Sequence, residues 1–161
     1  MTTKANSTSD IGREAPSSPR GGSSNIFLTE LAQRLNLKNF RGVFMRDELP
    51  KEPLTQTDRG ACAPSQESGI MNFDTVEKAG SHWVAWYKSK KKHYYFDSYG
   101  TAVPDELREY FKNKKIHYSD FMIQSMSSDI CGELCIAFIY LMDYSGKSFQ
   151  EIVNVLRKEP T

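Results

Sequence analysis

The stretch HWVAWYKSKKKHYYFDSYG, residues 82–100, decides the fold. Two runs rich in aromatic and β-branched residues flank a lysine-rich segment, a pattern typical of two strands joined by a tight turn. We therefore predict a β-hairpin with His82 at its entrance and Asp97 at its exit. Because hairpin strands are antiparallel, both side chains are expected at one end of the sheet. The alternative role for Asp97 is that of a turn-forming residue ahead of Ser98.

The two segments after the hairpin predict a helix and then a strand. PDELREYFKN, residues 104–113, has Pro104 at the first helical position and places Leu107, Tyr110 and Phe111 on one face. IHYSDFMIQ, residues 116–124, predicts another strand, which ends at Gln124.

Two further helices are predicted towards the C-terminus. CGELCIAFIYLMDYSG, residues 131–146, follows Ser128 and Asp129 and is apolar almost all round, so its helix should be buried. SFQEIVNVL, residues 148–156, has the spacing of an amphipathic helix. The side chains expected to point inward are Phe149, Ile152, Val153 and Leu156.

Upstream of the hairpin, the composition separates a tail from a domain. Residues 1–24 are rich in Ser, Thr, Pro and Gly and are expected to be disordered. Residues 25–161 are expected to form one domain that opens with a helix capped by Ser24 or Asn25. The proline-bracketed, polar residues 51–68 predict a loop or insertion, and GIMNFDT, residues 69–75, a strand. The class is α+β, with helices packed on a central, mostly antiparallel sheet.

Composition narrows the function. A net charge of +1 over 161 residues gives no global field that would draw the protein to nucleic acid or an acidic membrane. Three cysteines are too few for a disulfide framework and favour a reducing, intracellular compartment. No run approaches the about 18 apolar residues of a membrane span, and no secretory signal is evident. We expect a soluble monomer with no membrane contact, no metal and no cofactor.

Four residues together could carry nucleophilic chemistry. Cys131 opens a helix, where unpaired N–H groups and the helix dipole favour a thiolate. Taken alone, a cysteine in an apolar helix is more often a core residue, as Cys135 should be. His82 could serve as a general base that Asp97 orients. Gln124, seven residues before Cys131, could bring a side-chain amide to a developing oxyanion.

The other histidines and the lysine run have simpler interpretations. His93 and His117 are interpreted as structural or solvent-exposed residues. The lysines of the hairpin could contact nucleic-acid phosphates weakly, but a solvated turn that keeps a sheet edge soluble is the simpler interpretation. These lysines are Lys88, Lys90, Lys91 and Lys92.

The motifs resemble those of the adenain family of viral maturation proteases and the related ubiquitin-like-protein-specific cysteine proteases. The resemblance runs from about Gly69 to Tyr144 and follows the chain order His, Asp, Gln, Cys. It rests on GSHWVAWY, YYFDSYG, IQ and, seven residues later, ICGELC. FRGVFMRDELP, GIMNFDT and GSHWVAWY together look closer to proteases of large DNA transposons and related double-stranded DNA viruses.

The resemblance implies a papain-like site in which Cys131 attacks a peptide carbonyl and forms an acyl-enzyme. It assigns His82 as base, Asp97 as orienting acid and Gln124 as oxyanion donor. It also implies that Trp83 shelters the histidine, and we expect Gly132, beside the nucleophile, to help shape the site.

The expected function is that of a cysteine endopeptidase that cleaves after small residues such as glycine. The substrate would be a viral or transposon precursor, such as a capsid protein, or a ubiquitin-like tail. The enzyme would act in the host nucleus or cytoplasm, or be packaged in a virion. The alternatives are a deubiquitinase or ubiquitin-like-protein protease, an acyltransferase, and an inactive protease-like binding module.

Overall fold

The computed structural model describes residues 24–54, 66–75, 77, 82–119, 122–123 and 130–158. Within these ranges the elements are α1 Asn25–Arg34, β1 Phe40–Phe44, β2 Glu67–Asn72, β3 Trp83–Ser89, β4 Lys92–Phe96, α2 Asp105–Tyr110, β5 Ile116–Tyr118, α3 Cys131–Tyr144 and α4 Phe149–Lys158. Of the predicted tail, residues 1–23 lie outside the described residues, as do residues 55–65 of the predicted loop.

The strands form one five-stranded sheet in the order β1-β2-β3-β4-β5. The pairs β2–β3 and β3–β4 are antiparallel, whereas β1–β2 and β4–β5 are parallel. The α+β class with flanking helices is confirmed, and the sheet is mixed because each edge strand joins it in parallel. Two parallel strands cannot be joined by a tight turn, so long segments separate β1 from β2 and β4 from β5 along the chain.

The predicted hairpin between β3 and β4 is confirmed. Ser89 pairs with Lys92 across a two-residue turn, and Ala85 pairs with Phe96 towards the other end. Lys90 has a φ of 54°, the left-handed conformation that such tight turns require. The hairpin therefore carries its lysines at one end of the sheet and the termini of its strands at the other.

The sheet is covered on both faces, because successive side chains of each strand point in opposite directions. One face carries Ala85, Tyr87 and Phe96 and packs against α1, α3 and α4. The opposite face carries Val84, Trp86 and Tyr95, which pack with the α2 segment. This two-sided burial explains why β3 is apolar at nearly every position.

Helix α3 is the central helix of the first face, as its all-round apolar sequence predicts. Its buried residues include Cys131, Cys135 and Phe138, and the Phe138 ring stacks on Phe96 of β4 at 4.8 Å between centroids. Helix α4 buries Ile152, Val153 and Leu156 as predicted, with Phe149 partly buried. The nucleophile candidate is thus fixed between the sheet and two helices.

Three local predictions were wrong at element ends. Pro104 is the N-cap of α2 and not its first helical residue. The strand predicted over residues 116–124 is confined to β5, because Met122 and Ile123 lie outside any strand. β2 begins at Glu67, so the last two residues of the predicted loop 51–68 belong to a strand. At the start of α3, Ile130 is the N-cap and makes no side-chain cap hydrogen bond, and Ser128 and Asp129 lie outside the described residues.

The start of α1 was predicted correctly. Ser24 is its N-cap, and its hydroxyl accepts a hydrogen bond from the Phe27 N–H at 3.1 Å. None of the helices in the described part of the chain has both the length and the apolarity needed to cross a membrane.

Candidate active site

The hairpin brings His82 and Asp97 together at one end of the sheet. His82 immediately precedes β3 and Asp97 immediately follows β4, so the pairing of Ala85 with Phe96 leaves both at the same edge. The His82 carbonyl accepts a backbone hydrogen bond from Phe73 at 2.9 Å, which ties the residue to the end of β2. The position of the imidazole is therefore set by three neighbouring strands.

The His82–Asp97 contact is short and buried. Nε2 of His82 lies 2.5 Å from Oδ1 of Asp97, and the two residues are 4% and 1% exposed. A charge-assisted hydrogen bond of this kind is strengthened where water is excluded. The contact consumes Nε2 and leaves Nδ1 as the ring nitrogen that can face another group.

The ionisation of His82 reflects two opposing effects. Burial lowers its pKa, but the hydrogen bond to Asp97, the neighbouring Cys131 side chain and the charges of both groups outweigh burial and raise the pKa to about 9. The Asp97 pKa moves the other way: burial raises it, yet hydrogen bonds from His82 and Thr101 together with the His82 charge lower it below its ordinary value. An imidazolium paired with a carboxylate is the favoured state near neutral pH.

Cys131 occupies the first position of α3 and is 5% exposed. Nδ1 of His82 is buried and makes no hydrogen bond of standard geometry within the described residues. Cys131 nevertheless acts on the His82 pKa, so the thiol lies near the ring without being aligned to it. Loose alignment of this kind is common in enzymes without bound substrate.

The residues predicted to shape the site, Trp83 and Gly132, are in mutual contact range. A Cβ on Gly132 would lie 2.9 Å from Leu28 Cδ2 and 3.3 Å from Trp83 Cδ1. A side chain at position 132 would therefore push α3 away from α1 and from the start of β3. Glycine lets the nucleophile helix approach both closely.

Gln124 lies outside the described residues, so the oxyanion role stays a prediction. The residue before it is described: the Ile123 N–H donates to the Ser98 carbonyl at 2.7 Å. The chain leading to Gln124 is thus tied to the turn that carries Asp97.

Sequence reasoning missed two residues of this site, Tyr99 and Thr101. The Tyr99 ring stacks on His82 with 4.0 Å between centroids and 3° between planes. Thr101 donates both its backbone N–H, at 3.0 Å, and its hydroxyl to Oδ2 of Asp97. The available signal was the turn pattern after Asp97, because aspartates often accept hydrogen bonds from N–H groups a few residues downstream.

Cys135 and the other two histidines are placed as predicted, away from reactive contacts. Cys135 is fully buried, and burial raises the pKa of its thiol well above the ordinary value. His93 packs against Phe111 at 4.5 Å between ring centroids, and His117 lies 5.4 Å from Tyr94. Within the described residues, no cluster of His, Cys, Asp and Glu could hold a metal ion.

Comparison with solved structures finds a likeness of fold to a protease that has a catalytic cysteine. The structure titled "SUMO protease Ulp1 with the catalytic cysteine oxidized to a sulfinic acid" aligns with a TM-score of 0.51 at 12% identity, covering 87% of this chain and 76% of that chain. The ASFV pS273R protease aligns with a TM-score of 0.49 at 14% identity, covering 89% and 69%. No protein-family model and no curated protein sequence matches the chain. The likeness is one of fold.

Proposed function

We propose that this protein is a cysteine endopeptidase with Cys131 as nucleophile, His82 as base and acid, Asp97 as orienting acid and Gln124 as oxyanion donor. The observation that carries the proposal is the buried His82–Asp97 contact through Nε2, with Cys131 near enough to raise the His82 pKa. The cysteine protease fold of the chain supports the same assignment.

The arrangement supports a two-stage reaction. The Cys131 thiolate attacks the peptide carbonyl, and the imidazolium of His82 gives its proton to the departing amine as the C–N bond breaks. A water molecule then attacks the thioester while His82 takes its proton, and collapse of the intermediate breaks the C–S bond, which releases the acid and restores the thiolate–imidazolium pair. Asp97 keeps the Nε2 proton in place throughout, so Nδ1 is the atom that exchanges protons.

The developing oxyanion needs donors beside the nucleophile. Cys131 is the first residue of α3, so its backbone N–H has no partner within the helix and is available to the substrate. We propose the Gln124 amide as the second donor. One such donor is typically worth about 3 kcal/mol in the transition state.

The setting we propose is precursor processing, such as capsid maturation, in a double-stranded DNA virus or large DNA transposon, inside a reducing host compartment. Substrates would carry small residues such as glycine before the cleaved bond. Burial of Cys131, His82 and Trp83, each less than 8% exposed, supports a narrow entrance that a side chain would block. A ubiquitin-like tail is the second substrate class with that chemistry.

A peptide assay and a thiol trap test the proposal. The reduced protein is incubated with a fluorogenic Gly-Gly peptide and with a ubiquitin-like vinyl sulfone, and the labelled cysteine is identified by mass spectrometry. We expect turnover and labelling at Cys131, both lost in Cys131→Ala and kept in Cys135→Ala. Absence of turnover together with labelling at another cysteine, or at none, would overturn the proposal.

The same reagents separate the substrate classes. A precursor endopeptidase should cleave the short peptide efficiently by itself, whereas a ubiquitin-like-protein protease should need the folded domain of the probe. A binding module would retain the probe without any covalent bond at Cys131.

The hairpin lysines support a second proposal, a local contact with DNA phosphates. Lys114 precedes β5, which runs parallel to β4, so it lies at the hairpin end of the sheet with Lys90 and Lys91. Burial lowers the His93 pKa, and the charges of Lys88 and Lys114 lower it further. Both lysines therefore lie near His93.

Duplex DNA binding by fluorescence anisotropy over a salt series tests this contact. Replacing Lys90 and Lys91 by alanine should reduce the slope of log K against log salt by about 2, since each phosphate contact contributes about 0.9. An unchanged slope, or no binding at low salt, identifies the segment as a solvated turn.

A further inference from the structure

The turn after β4 folds back onto the Asp97 carboxylate. Gly100 donates its N–H to the Asp97 carbonyl at 2.8 Å and adopts a φ of 73°, a conformation that glycine tolerates readily. The reversal directs the Tyr99 N–H to Oδ1 at 2.8 Å and the Thr101 N–H to Oδ2 at 3.0 Å.

The result is a carboxylate with donors on both oxygens. Oδ1 accepts from His82 and from the Tyr99 N–H, while Oδ2 accepts from the Thr101 N–H and from the Thr101 hydroxyl. A carboxylate offers about four acceptor positions, so all of them are used. Rotation of the Asp97 side chain would break several hydrogen bonds at once.

The imidazole is held between two aromatic rings as well as by its hydrogen bond to Asp97. The Tyr99 ring lies parallel to it at 4.0 Å, and the Phe73 ring meets it edge-on at 5.1 Å and 70°. The face of an aromatic ring attracts a cation, so a flat phenol ring also favours the charged imidazole. Among the described residues, the charged groups that act on His82 are Asp97 and Cys131.

We propose that Tyr99 and Thr101 are positioning residues of the catalytic pair. Thr101 fixes the rotamer of Asp97, and Tyr99 fixes the plane of the His82 ring and favours its protonated form. The inference rests on the proposed function, because the protonated ring matters as the partner of the Cys131 thiolate. Thr101 acts through Asp97, and Tyr99 acts through the plane of the His82 ring.

Thr101 is tested by a matched pair of substitutions. Thr101→Val keeps the branched shape and the backbone N–H but removes the hydroxyl, whereas Thr101→Ser keeps the hydroxyl. We expect kcat to fall about tenfold with KM unchanged in the valine variant, and to stay near the wild-type value in the serine variant, because orientation of the base affects the transition state. Equal kcat in both variants would remove Thr101 from the proposal.

Tyr99 is tested by titrating His82 itself. The imidazole C–H signal is followed by NMR from pH 5 to 11 in the wild type, in Tyr99→Phe and in Tyr99→Leu. Tyr99→Leu removes the aromatic face and should lower the pKa of His82 by about half a unit to one unit, while Tyr99→Phe should leave it unchanged. An unmoved titration in a folded Tyr99→Leu variant refutes the positioning role, and if that variant does not fold, the Thr101 pair decides.

The titration needs no substrate and so separates two kinds of failure. Wild-type protein that neither cleaves peptides nor labels at Cys131 refutes the proposed function, whatever the titration shows. The wild type can instead be active while none of the four substitutions changes the His82 pKa or kcat. That result refutes the positioning proposal alone.

Discussion

Two buried carboxylates lie at opposite ends of the sheet, and their charges are balanced by different kinds of partner. Glu67 begins β2 at the hairpin end, and Asp97 follows β4 at the other end. They are 0% and 1% exposed. A buried charge is costly unless it is paired and hydrogen-bonded, so the partners of each carboxylate indicate its role.

The partners of Glu67 hold the fold together. Oε2 accepts from Trp86 Nε1 at 2.9 Å and from the Tyr110 hydroxyl at 2.5 Å, while Oε1 accepts from the Leu54 N–H at 2.6 Å and lies 3.3 Å from the Arg41 guanidinium. These groups come from β3, α2, the segment after β1 and β1 itself. None of them loses its proton near neutral pH.

Asp97 has a partner that can change charge. Its oxygens accept from the local turn and from His82, whose pKa of about 9 lies within reach of ordinary conditions. Glu67 therefore stabilises the fold through partners of fixed charge, whereas Asp97 is coupled to a group that can take up and release a proton. The four predictions below test that division.

The largest expected effect is on activity in Asp97→Asn. The single amide oxygen accepts from only one side of the turn, and the amide N–H₂ then faces the donors on the other side. The amide also no longer holds the His82 proton on Nε2 or stabilises the imidazolium. We expect kcat/KM to fall on the order of 10³- to 10⁴-fold, the size reported for orienting acids in such triads. Steady-state kinetics measure this, with the melting temperature showing that the variant remains folded. A loss below tenfold would contradict the assigned role of Asp97.

Next in size is the loss of stability in Glu67→Gln. The substitution leaves the partly buried Arg41 without its counter-charge and sets an amide N–H₂ against the donors of Trp86 and Tyr110. We expect the free energy of unfolding to fall by about 2 to 4 kcal/mol, with peptide turnover by the folded protein unchanged. Urea denaturation measures the change.

The matched control for that substitution is Glu52→Gln. Glu52 and Lys112 form an ion pair at 3.7 Å with side chains 68% and 65% exposed, and such pairs contribute little. A Glu52→Gln variant as destabilised as Glu67→Gln would show that burial is not what distinguishes Glu67.

How much of this could be predicted follows from the sequence distance between the partners. His82 and Asp97 flank one hairpin, so the local strand patterns were enough to predict that the two residues lie close together. Glu67 lies within residues 51–68, which the sequence predicted to be a loop, although it is the first residue of β2. The parallel pairing of β2 with β1 is a non-local contact, so the local sequence pattern did not reveal the start of this strand. Its partners Arg41 and Tyr110 are 26 and 43 residues away.

The end of the sheet that carries His82 and Asp97 shows the same limit at shorter range. Asp97 was predicted either to orient the histidine or to form a turn, and the structure shows it contacting His82 from within a turn. The stacking of Tyr99 on His82 could not be predicted, because it depends on the path of the chain beyond the last paired residues, Ala85 and Phe96.

The third prediction concerns the pH dependence of stability. The His82 pKa is raised from 6.5 to about 9, so its contribution is complete below pH 6.5, declines as pH rises and is lost above pH 9. The free energy of unfolding of the wild type should therefore exceed that of His82→Gln by on the order of 2 to 3 kcal/mol at pH 6, and by much less at pH 9.5. Denaturation of both at each pH measures this.

The Glu67→Gln difference is the internal control, because it should persist at pH 9.5. Burial raises the Tyr110 pKa above its ordinary value, so that hydroxyl keeps its proton. A His82→Gln difference that is equally large at both pH values would contradict the coupling of Asp97 to a titrating partner.

The smallest effect is expected for a third carboxylate, Asp143 at the end of α3. It accepts from the Lys38 N–H at 2.7 Å and the Tyr87 hydroxyl at 2.8 Å, yet burial outweighs these hydrogen bonds and raises its pKa. A raised carboxyl pKa means that the folded state disfavours the charge, so stability falls as pH rises through the ordinary Asp range. Asp143→Asn should change the free energy of unfolding by less than about 1 kcal/mol at pH 7 and should remove that fall in stability. A loss as large as that of Glu67→Gln would show that a partly buried acid, with hydrogen bonds from an amide N–H and a hydroxyl and the Lys38 charge nearby, can matter as much for stability as Glu67. The contrast between Glu67 and Asp97 that rests on their partners Arg41 and His82 would then fail.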